Sequence, residues 1–386
     1  MQLPASWKLV ELKMNPKKVL HLYSNYKWTG PADHALNLAA WLKPREDIAA
    51  FFACGRRQGV RNHLYEKACQ RHLDFVNGLS LKKHLSWQIF PDVYSLKKIV
   101  VRKKINLIHC HQDNDALSAV LAGFGNRMIR TCYDGEPAPL SFRQRYFYHR
   151  TAKIMTASLK LQAHLAAIFP EKDIQQLDIP VDHELFHPLE KSAQLLAEFD
   201  LKTDTPVGGI VARVQKHRNF SLLLDAIEQV VDVIPDFRFL IVGRGTHIDA
   251  VARQPVCRRG LDKNIIFTGY RKDDYRNVLN LFDFKIFLVP GSDGSCRAVR
   301  EALACGKPVI ATRKGILPEL IRDGETGLLI EDNPADLARA MMTMINDRDF
   351  RLSCSRAARH YCETVLSPQR YIRKVVACYE SLVKAI

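Results

Sequence analysis

The sequence predicts an α/β protein with two Rossmann-like domains, each a doubly wound parallel sheet. Short apolar runs alternate with segments whose apolar residues recur at helical spacing, which is typical of parallel sheets covered by helices. The alternation starts again after a proline-punctuated stretch at residues 179–188, which suits a linker between domains. A length of 386 residues fits two domains better than one.

The elements of the first half follow one another in regular order from residue 19. Residues 19–23 are an apolar run, a Gly-Pro turn follows at Gly30, and an apolar helical stripe begins at Ala35. Strands are predicted over residues 19–23, 48–53, 105–108, 128–132 and 153–157. Helices are predicted over residues 35–42, 93–100, 115–123 and 143–150.

The second half repeats the pattern and ends in an amphipathic helix predicted over residues 369–386. Strands are predicted over residues 207–211, 237–242, 265–268, 284–289, 308–312 and 327–330, and helices over residues 220–233 and 298–305. We therefore predict an amino-terminal domain over residues 1–183 and a carboxyl-terminal domain over residues 184–366. The terminal segment 367–386 is expected to pack back on the first domain.

Composition is ordinary except for a formal net charge of +16 and a pI near 9.4. Lysines and arginines occur in pairs along the chain, which fits either solvated faces or contact with an acidic substrate or an anionic membrane. The ten cysteines form no CxxC pair, and the sequence shows neither a signal peptide nor a membrane span. These features predict a cytoplasmic protein, with the inner face of the cell membrane as an alternative location.

Ligands of open parallel sheets bind beyond the carboxyl ends of the strands, so function is expected in the strand-to-helix loops. Cations follow the strand at 207–211, and two glycines follow the strand at 237–242. A third loop, residues 290–296, leads into a helix, with Asp293 before the helix and Glu301 inside it. Helix amides hold phosphate and carboxylates hold hydroxyl groups, so this loop predicts a nucleotide-sugar site.

These residues resemble the family 4 glycosyltransferases of GT-B fold (glycosyl transferases group 1). The family's two acids with seven residues between them match Asp293 and Glu301, and its arginine with a basic residue five positions later matches Arg213 and Arg218. Segments 240–245, 266–270 and 318–327 are also similar to the family. The chain departs from the pattern by having Asp293 in place of Glu, Arg218 in place of Lys, and Tyr133 in place of a histidine.

The resemblance implies a retaining, metal-independent hexosyltransferase that needs no cofactor and uses a nucleotide sugar as co-substrate. Arg213, Arg218, Asp293 and Glu301 would be catalytic, the arginines on the diphosphate and the acids on sugar and ribose hydroxyls. His111, Tyr133 and Asp134 would lie on the acceptor side. Donor binding would involve Gly30, Gly243, Gly245, Tyr270, Gly294, Ser295, Cys296, Arg297, Ala298 and Val299.

The partners implied are a nucleoside-diphosphate sugar, with UDP favoured, and a glycan or lipid-linked acceptor in cell-envelope polysaccharide or lipopolysaccharide synthesis. An anionic membrane surface is an optional further partner. Nucleic acid is not expected as a partner, because zinc-finger, RNP-like and KH-like motifs are missing.

Several other interpretations compete with this one. A nucleic-acid-binding protein would use the basic surface, and a GT-B phosphorylase or an epimerase would share the fold. A glycosidase pair is rejected, since a nucleotide diphosphate leaves without a proton from the enzyme. His109 and His111 share one strand face, but no third and fourth metal ligands are evident near them in sequence, so no metal site is predicted.

Overall fold

A computed structural model describes residues 16–57, 59–290 and 296–385. The chain divides into two compact units. The first contains the described residues up to Thr131, Leu140–Ile154 and the chain from Ala377 onward. The second contains Cys132–Pro139 and Met155–Val376.

One sheet has seven strands in the order β3-β2-β1-β4-β5-β6-β7. These strands are β1 (Lys17–Tyr23), β2 (Ile48–Cys54), β3 (Asp74–Phe75), β4 (Leu107–Cys110), β5 (Met128–Cys132), β6 (Lys153–Thr156) and β7 (Asp173–Gln176). The helices between and before them are α1 (Gly30–Leu42), α2 (His63–Gln70), α3 (Ile89–Lys103), α4 (Asp113–Leu121), α5 (Phe142–Arg150) and α6 (Leu159–Ile168). Strand β1 pairs in parallel with both β2 and β4, and His21 lies opposite His109 in that register.

The other sheet has six strands in the order β10-β9-β8-β11-β12-β13. These strands are β8 (Val207–Val211), β9 (Arg238–Val242), β10 (Ile265–Gly269), β11 (Phe284–Phe287), β12 (Val309–Thr312) and β13 (Gly327–Ile330). The remaining helices are α7 (Ala193–Glu198), α8 (Phe220–Val233), α9 (Gln254–Arg258), α10 (Tyr275–Leu281), α11 (Arg297–Ala304), α12 (Leu317–Leu320), α13 (Pro334–Asn346), α14 (Arg348–Thr364) and α15 (Pro368–Lys384).

Both sheets wind outward in two directions from their first strand, β1 or β8. The order therefore reverses between β1 and β4 in one sheet and between β8 and β11 in the other, and crevices at the carboxyl ends of strands form at such points. Two doubly wound parallel sheets confirm the predicted fold class.

Helix α8 illustrates how the apolar pattern builds the second unit. Phe220, Leu223, Ile227 and Val230 recur at three- and four-residue intervals, and all four are at most 1% exposed. They pack in one core with Ile210 of β8 and with residues of β9 and β11. Eight of the ten cysteines are buried as well, in agreement with their positions inside apolar runs.

The sequence pattern missed two edge strands, β3 and β7. Strand β3 has two residues and β7 reads Asp-Ile-Gln-Gln, so neither carries an apolar run or a clear alternation. In the part of the chain that the structure describes, no helix has the length and apolar character needed to cross a bilayer.

Candidate functional site

The loop after β8 lies at the point where the order of the second sheet reverses. Arg213, two residues beyond the strand, is exposed. Arg218 is half-buried, and its guanidinium donates to the carbonyl of Val289 at 2.6 Å, just beyond the end of β11. The Arg218 Nε is buried and has no hydrogen-bond partner among the described residues. Arg218 therefore joins the two strand-end loops that flank the reversal point and brings a cation there.

Gly243 and Gly245, which follow β9, are required for close packing of backbone on backbone. A Cβ at Gly243 would lie 2.1 Å from the carbonyl oxygen of Ala212, and one at Gly245 would lie 1.8 Å from that of Val214. The Val214 amide in turn donates to the carbonyl of Arg244 at 3.2 Å. The two loops are thus joined edge to edge, and the glycines fix the position of the segment that carries Arg213.

We expect Gly245→Ala to destabilise the second unit by about 3 kcal/mol, since a backbone carbonyl cannot yield as a flexible side chain can. Gly260→Ala is the comparison variant, because a Cβ at Gly260 would meet open space and only its backbone, with φ of +67°, disfavours a side chain. Gly260→Ala is expected to lower the free energy of unfolding by about 1 kcal/mol. Urea unfolding followed by circular dichroism measures both, and equal losses would contradict the steric argument.

Tyr270 follows β10 at the same edge of the sheet and is 63% exposed. The guanidinium of Arg244 lies over its ring at 4.9 Å from the centroid. This cation–π contact leaves a flat aromatic surface beside the glycine loop. Such a surface can accept a planar ring.

Helix α11 begins at Arg297, immediately after β11 and its loop. Cys296 is its N-cap residue, is buried, and has a left-handed backbone with φ of 39°. Arg297 and Ala298 are partly exposed in the first turn, whereas Val299 is buried in the core. The predicted site residues Asp293, Gly294 and Ser295 lie outside the described residues.

Glu301 is 5% exposed and is held by two neighbouring side chains. The Tyr275 hydroxyl donates to its Oε2 at 2.8 Å, and the Arg297 Nε lies 3.3 Å from its Oε1. Burial and then the Glu301 charge raise the pKa of Tyr275 well above its usual value, so the hydroxyl keeps its proton and remains a donor. The carboxylate is therefore oriented one turn inside the helix start.

Lys285, in the middle of β11, is a fully buried cation that the sequence interpretation missed. Burial lowers its pKa to about 7, and the negative charge of Glu301 opposes that shift. Its ammonium group donates to the carbonyl of Ala298 in the first turn of α11. Lys285 thus links the strand, the start of α11 and Glu301. The sequence feature that could have identified Lys285 is a single charge within an otherwise apolar strand, Phe-Lys-Ile-Phe.

The predicted acceptor-side residues follow strands of the first sheet. Gly30 opens α1, whose N-cap Thr29 accepts from the amide of Ala32 at 3.4 Å. His111 comes directly after β4 and is fully buried. Tyr133 and Asp134 come directly after β5, the tyrosine 3% exposed and the aspartate exposed.

Three histidines gather in the first unit, His21 together with His109 and His111. Their nitrogens lie within 4.8 Å of one another, and His21 Nδ1 is 3.1 Å from His111 Nε2. That spacing would suit two ligands of one metal ion, and His21 supplies the third ligand that the sequence did not show. However, both nitrogens of His109 are already engaged, by the Tyr379 hydroxyl at 2.6 Å and by Thr131 Oγ1 at 2.7 Å. The arrangement fits a hydrogen-bonded stack of neutral rings better than a metal site.

Burial explains why these rings are neutral. It lowers the pKa of His21 to about 3 and the pKa values of His109 and His111 well below 6.5. Asp115, also fully buried, accepts from the amides of His111 and Gln112 at 3.1 and 2.8 Å, and burial raises its pKa to about 7.

Comparison with known proteins identifies the family. The family model "Glycosyl transferases group 1" matches residues 205–347, which include β8 to β13, the Arg213–Arg218 loop and Glu301. Residues 205–347 of the chain thus form a group 1 glycosyltransferase domain. This glycosyltransferase is 25% identical over 333 residues to an uncharacterized glycosyltransferase of Methanocaldococcus jannaschii, a match that covers 82% of the chain and 88% of that relative.

Other relatives match only about half of the chain. The N-acetyl-alpha-D-glucosaminyl L-malate synthase of Bacillus anthracis is 25% identical over 214 residues, which are 55% of the chain and 54% of that enzyme. The lipopolysaccharide core biosynthesis mannosyltransferase LpsB of Rhizobium meliloti is 26% identical over 225 residues, which are 54% of the chain and 63% of the relative. The glycosyltransferase thus spans about half to two thirds of the length of these two relatives.

Solved structures show that the fold extends over nearly the whole glycosyltransferase. The structure of Anabaena HepE in complex with UDP matches with a TM-score of 0.78 and 19% identity, covering 94% of this chain and 100% of that one. The fold is accordingly GT-B, with two Rossmann-like domains.

Proposed function

We propose that this glycosyltransferase moves a sugar, with retention of configuration and without a metal ion, from a nucleoside-diphosphate sugar to a glycan or lipid-linked acceptor. The observation that carries the proposal is the buried Glu301 carboxylate, oriented by Tyr275 and Arg297 at the start of α11. A carboxylate held in this way accepts hydrogen bonds from a pair of neighbouring hydroxyl groups, as a ribose presents.

The donor diphosphate would lie between the loop after β8 and the start of α11. Arg213 is exposed and Arg218 is anchored to Val289, so one cation is available to the ligand and the other is fixed in place. Planar guanidinium groups suit phosphate, and they would stabilise the charge that builds on the leaving diphosphate as the glycosidic bond breaks. This charge neutralisation makes a metal ion unnecessary in the proposed mechanism.

Amides at the start of α11 would add donors to the same diphosphate, because the N-terminus of a helix favours negative charge. Tyr270, stacked under Arg244, offers the aromatic face for the nucleotide base. Asp293 would hold hydroxyl groups of the transferred sugar. UDP is the favoured nucleotide, which the UDP complex of HepE supports.

The acceptor side would be formed by strand-end loops of the first sheet, with His111, Tyr133 and Asp134 as its proposed contacts. A cell-envelope polysaccharide or a lipopolysaccharide is the proposed acceptor, with support from the relative LpsB, a lipopolysaccharide core biosynthesis mannosyltransferase. The departing phosphate would assist deprotonation of the acceptor hydroxyl, so the proposal requires neither a protein nucleophile nor a cofactor.

A thermal-shift panel of UDP, GDP, ADP and their sugars tests the donor. A ligand that binds the folded state at about 100 times its Kd stabilises it by about 2.7 kcal/mol, so the true nucleotide should raise the melting temperature clearly above the others. We expect Arg213→Ala to weaken diphosphate binding about tenfold through loss of a charge-assisted contact. Arg253→Ala, a change of an exposed arginine in the helical segment before α9, is the matched control.

Product analysis separates the proposal from its competitors. Release of nucleoside diphosphate together with an extended acceptor supports a transferase, whereas a phosphorylase releases a sugar phosphate and an epimerase releases no diphosphate. Nucleic-acid binding that falls steeply with salt, without any nucleotide-sugar binding, would contradict the proposal.

A further inference from the structure

Helix α3 has an exposed apolar stripe opposite its buried face. Phe90, Tyr94, Lys97 and Val101 recur at three- and four-residue intervals and therefore share one helical face. Phe90 is 61% exposed, Tyr94 62% and Val101 75%. Leu96, Ile99 and Val100 form the buried face.

Trp87, just before the helix, extends this stripe. It is 85% exposed, and its ring stacks on Phe90 with 5.8 Å between the centroids. Exposed aromatic residues placed singly are ordinary, but Trp87, Phe90, Tyr94 and Val101 lie in one row, which only Lys97 interrupts. We call these four residues the α3 stripe.

The segment that contains the α3 stripe is strongly basic. Residues 82–104 contain seven lysines and arginines and one acid, Asp92. Asp92 is buried and accepts from the amides of Ser80 and Leu81, so it is not available to neutralise the surface. All of the cations except the half-buried Lys103 are exposed, and the ion pairs found among the described residues include none of the seven.

We propose that the α3 stripe and its flanking cations form a docking surface for an anionic lipid bilayer. Aromatic and aliphatic side chains would enter the headgroup region while lysines and arginines meet the lipid phosphates. Lys98 illustrates the arrangement, since its ammonium group lies 4.3 Å from the centroid of the Tyr94 ring. Long basic side chains of this kind cover apolar surface and keep their charge in water.

Charge favours a bilayer over a second copy of this chain as the occupant. Two copies meeting through the α3 stripe would bring two sets of seven uncompensated cations together, which costs free energy, whereas an anionic surface neutralises them. The mixture of Trp, Tyr and Phe with lysines is the composition of helices that lie in the plane of a membrane interface. The inference is independent of the transfer reaction, because it rests on the surface of α3 alone.

Flotation with lipid vesicles tests the surface in the full-length protein without substrate. We expect binding to vesicles of phosphatidylethanolamine with phosphatidylglycerol, little binding to phosphatidylcholine alone, and loss of binding as salt rises from about 0.1 M to about 1 M. Lys97→Ser with Lys98→Ser should weaken binding about twenty-five-fold, since each cation near an anionic surface contributes about fivefold. Phe90→Ser should weaken it about tenfold through the lost apolar contact.

Matched controls come from the second unit. Val233, which is 66% exposed, and the exposed Lys263 lie on other elements, so Val233→Ser and Lys263→Ser should bind vesicles like the parent. Diphosphate release with a water-soluble acceptor should be unchanged in all of these variants, which keeps a failure of docking distinct from a failure of the proposed activity. Unchanged flotation of the α3 variants, or a stripe-dependent dimer in the absence of lipid, would overturn the proposal.

Discussion

Glu301→Ala is expected to lower kcat/KM for the nucleotide sugar roughly a hundred- to ten-thousandfold. The buried carboxylate would make two charge-assisted hydrogen bonds to the donor, each contributing about 1.5–3 kcal/mol. Its loss would also leave Tyr275 without its acceptor and Arg297 without its partner, so the start of α11 would lose its orientation. Steady-state assays of diphosphate release over a range of donor concentrations measure the effect.

Glu301→Gln separates charge from shape in this prediction. Glutamine keeps the size of the side chain and one accepting oxygen, so the loss should be smaller, about ten- to a hundredfold. Glu331→Ala removes an exposed acid of the same unit, 70% exposed, and should leave kcat/KM unchanged. Turnover of Glu301→Ala at the rate of the parent, in a variant with normal circular dichroism, would refute the assignment.

The buried lysine behind Glu301 offers a physical reason for the fixed position of the carboxylate. A buried ammonium group costs free energy unless an acid and hydrogen-bond acceptors compensate it. Lys285 finds a carbonyl at Ala298, and Glu301 raises the pKa that burial lowers, so strand, helix start and carboxylate depend on one another. Such mutual dependence reduces the rotamer freedom of Glu301 before a ligand arrives.

The positions of the central strands followed from the sequence because these strands are short apolar runs. Strands β8 and β11 were predicted from such runs, and the helix after β11 was predicted within one residue of its observed start. Helix α3 extends to Ile89–Lys103, beyond the predicted 93–100, because Pro91 in its first turn is compatible with a helix start. Strand β7 was missed since an edge strand needs little apolar surface.

The contacts of the site were less accessible to sequence reasoning, because they depend on strand register. His21 lies 88 residues before His109, and only the pairing of β1 with β4 makes them neighbours. The histidine in the predicted strand 19–23 was a visible signal, but its partner could not be known without that register. In the same way, Arg218 and Val289 meet only because β8 and β11 are adjacent.

Acid is expected to destabilise the first unit through its buried histidines. The pKa values of His21, His109 and His111 are lowered in the folded chain, so the unfolded chain binds more protons below pH 6.5. Their contribution to stability is therefore complete above about pH 6.5 and is lost as pH falls toward 3. Each histidine should remove about 1.4 kcal/mol per pH unit, about 4 kcal/mol for the three.

Asp115 opposes this loss by a smaller amount. Burial raises the pKa of Asp115 to about 7. Between about pH 7 and pH 4 the folded chain therefore holds a proton on Asp115 that the unfolded chain does not. Acidification over this range stabilises the fold by about 1.4 kcal/mol per pH unit through Asp115. Together, the three histidines and Asp115 should lower the free energy of unfolding of the first unit by about 3 kcal/mol per pH unit between pH 6 and pH 5. Because a two-domain chain need not unfold in one step, amide exchange of peptides from β1 and β4 is the appropriate measure, corrected for intrinsic rates.

A variant with one histidine fewer gives the decisive comparison. His21→Leu replaces a ring whose Nε2 has no hydrogen-bond partner among the described residues by an apolar side chain of similar size. Whatever its absolute stability, its net loss of stability should fall to about 1.4 kcal/mol per pH unit, since only two histidines then oppose Asp115. Peptides from β9 in the second unit should show no comparable dependence. An unaltered slope in His21→Leu would mean that the His21 ring is already protonated in the folded chain, or that other groups govern the acid response.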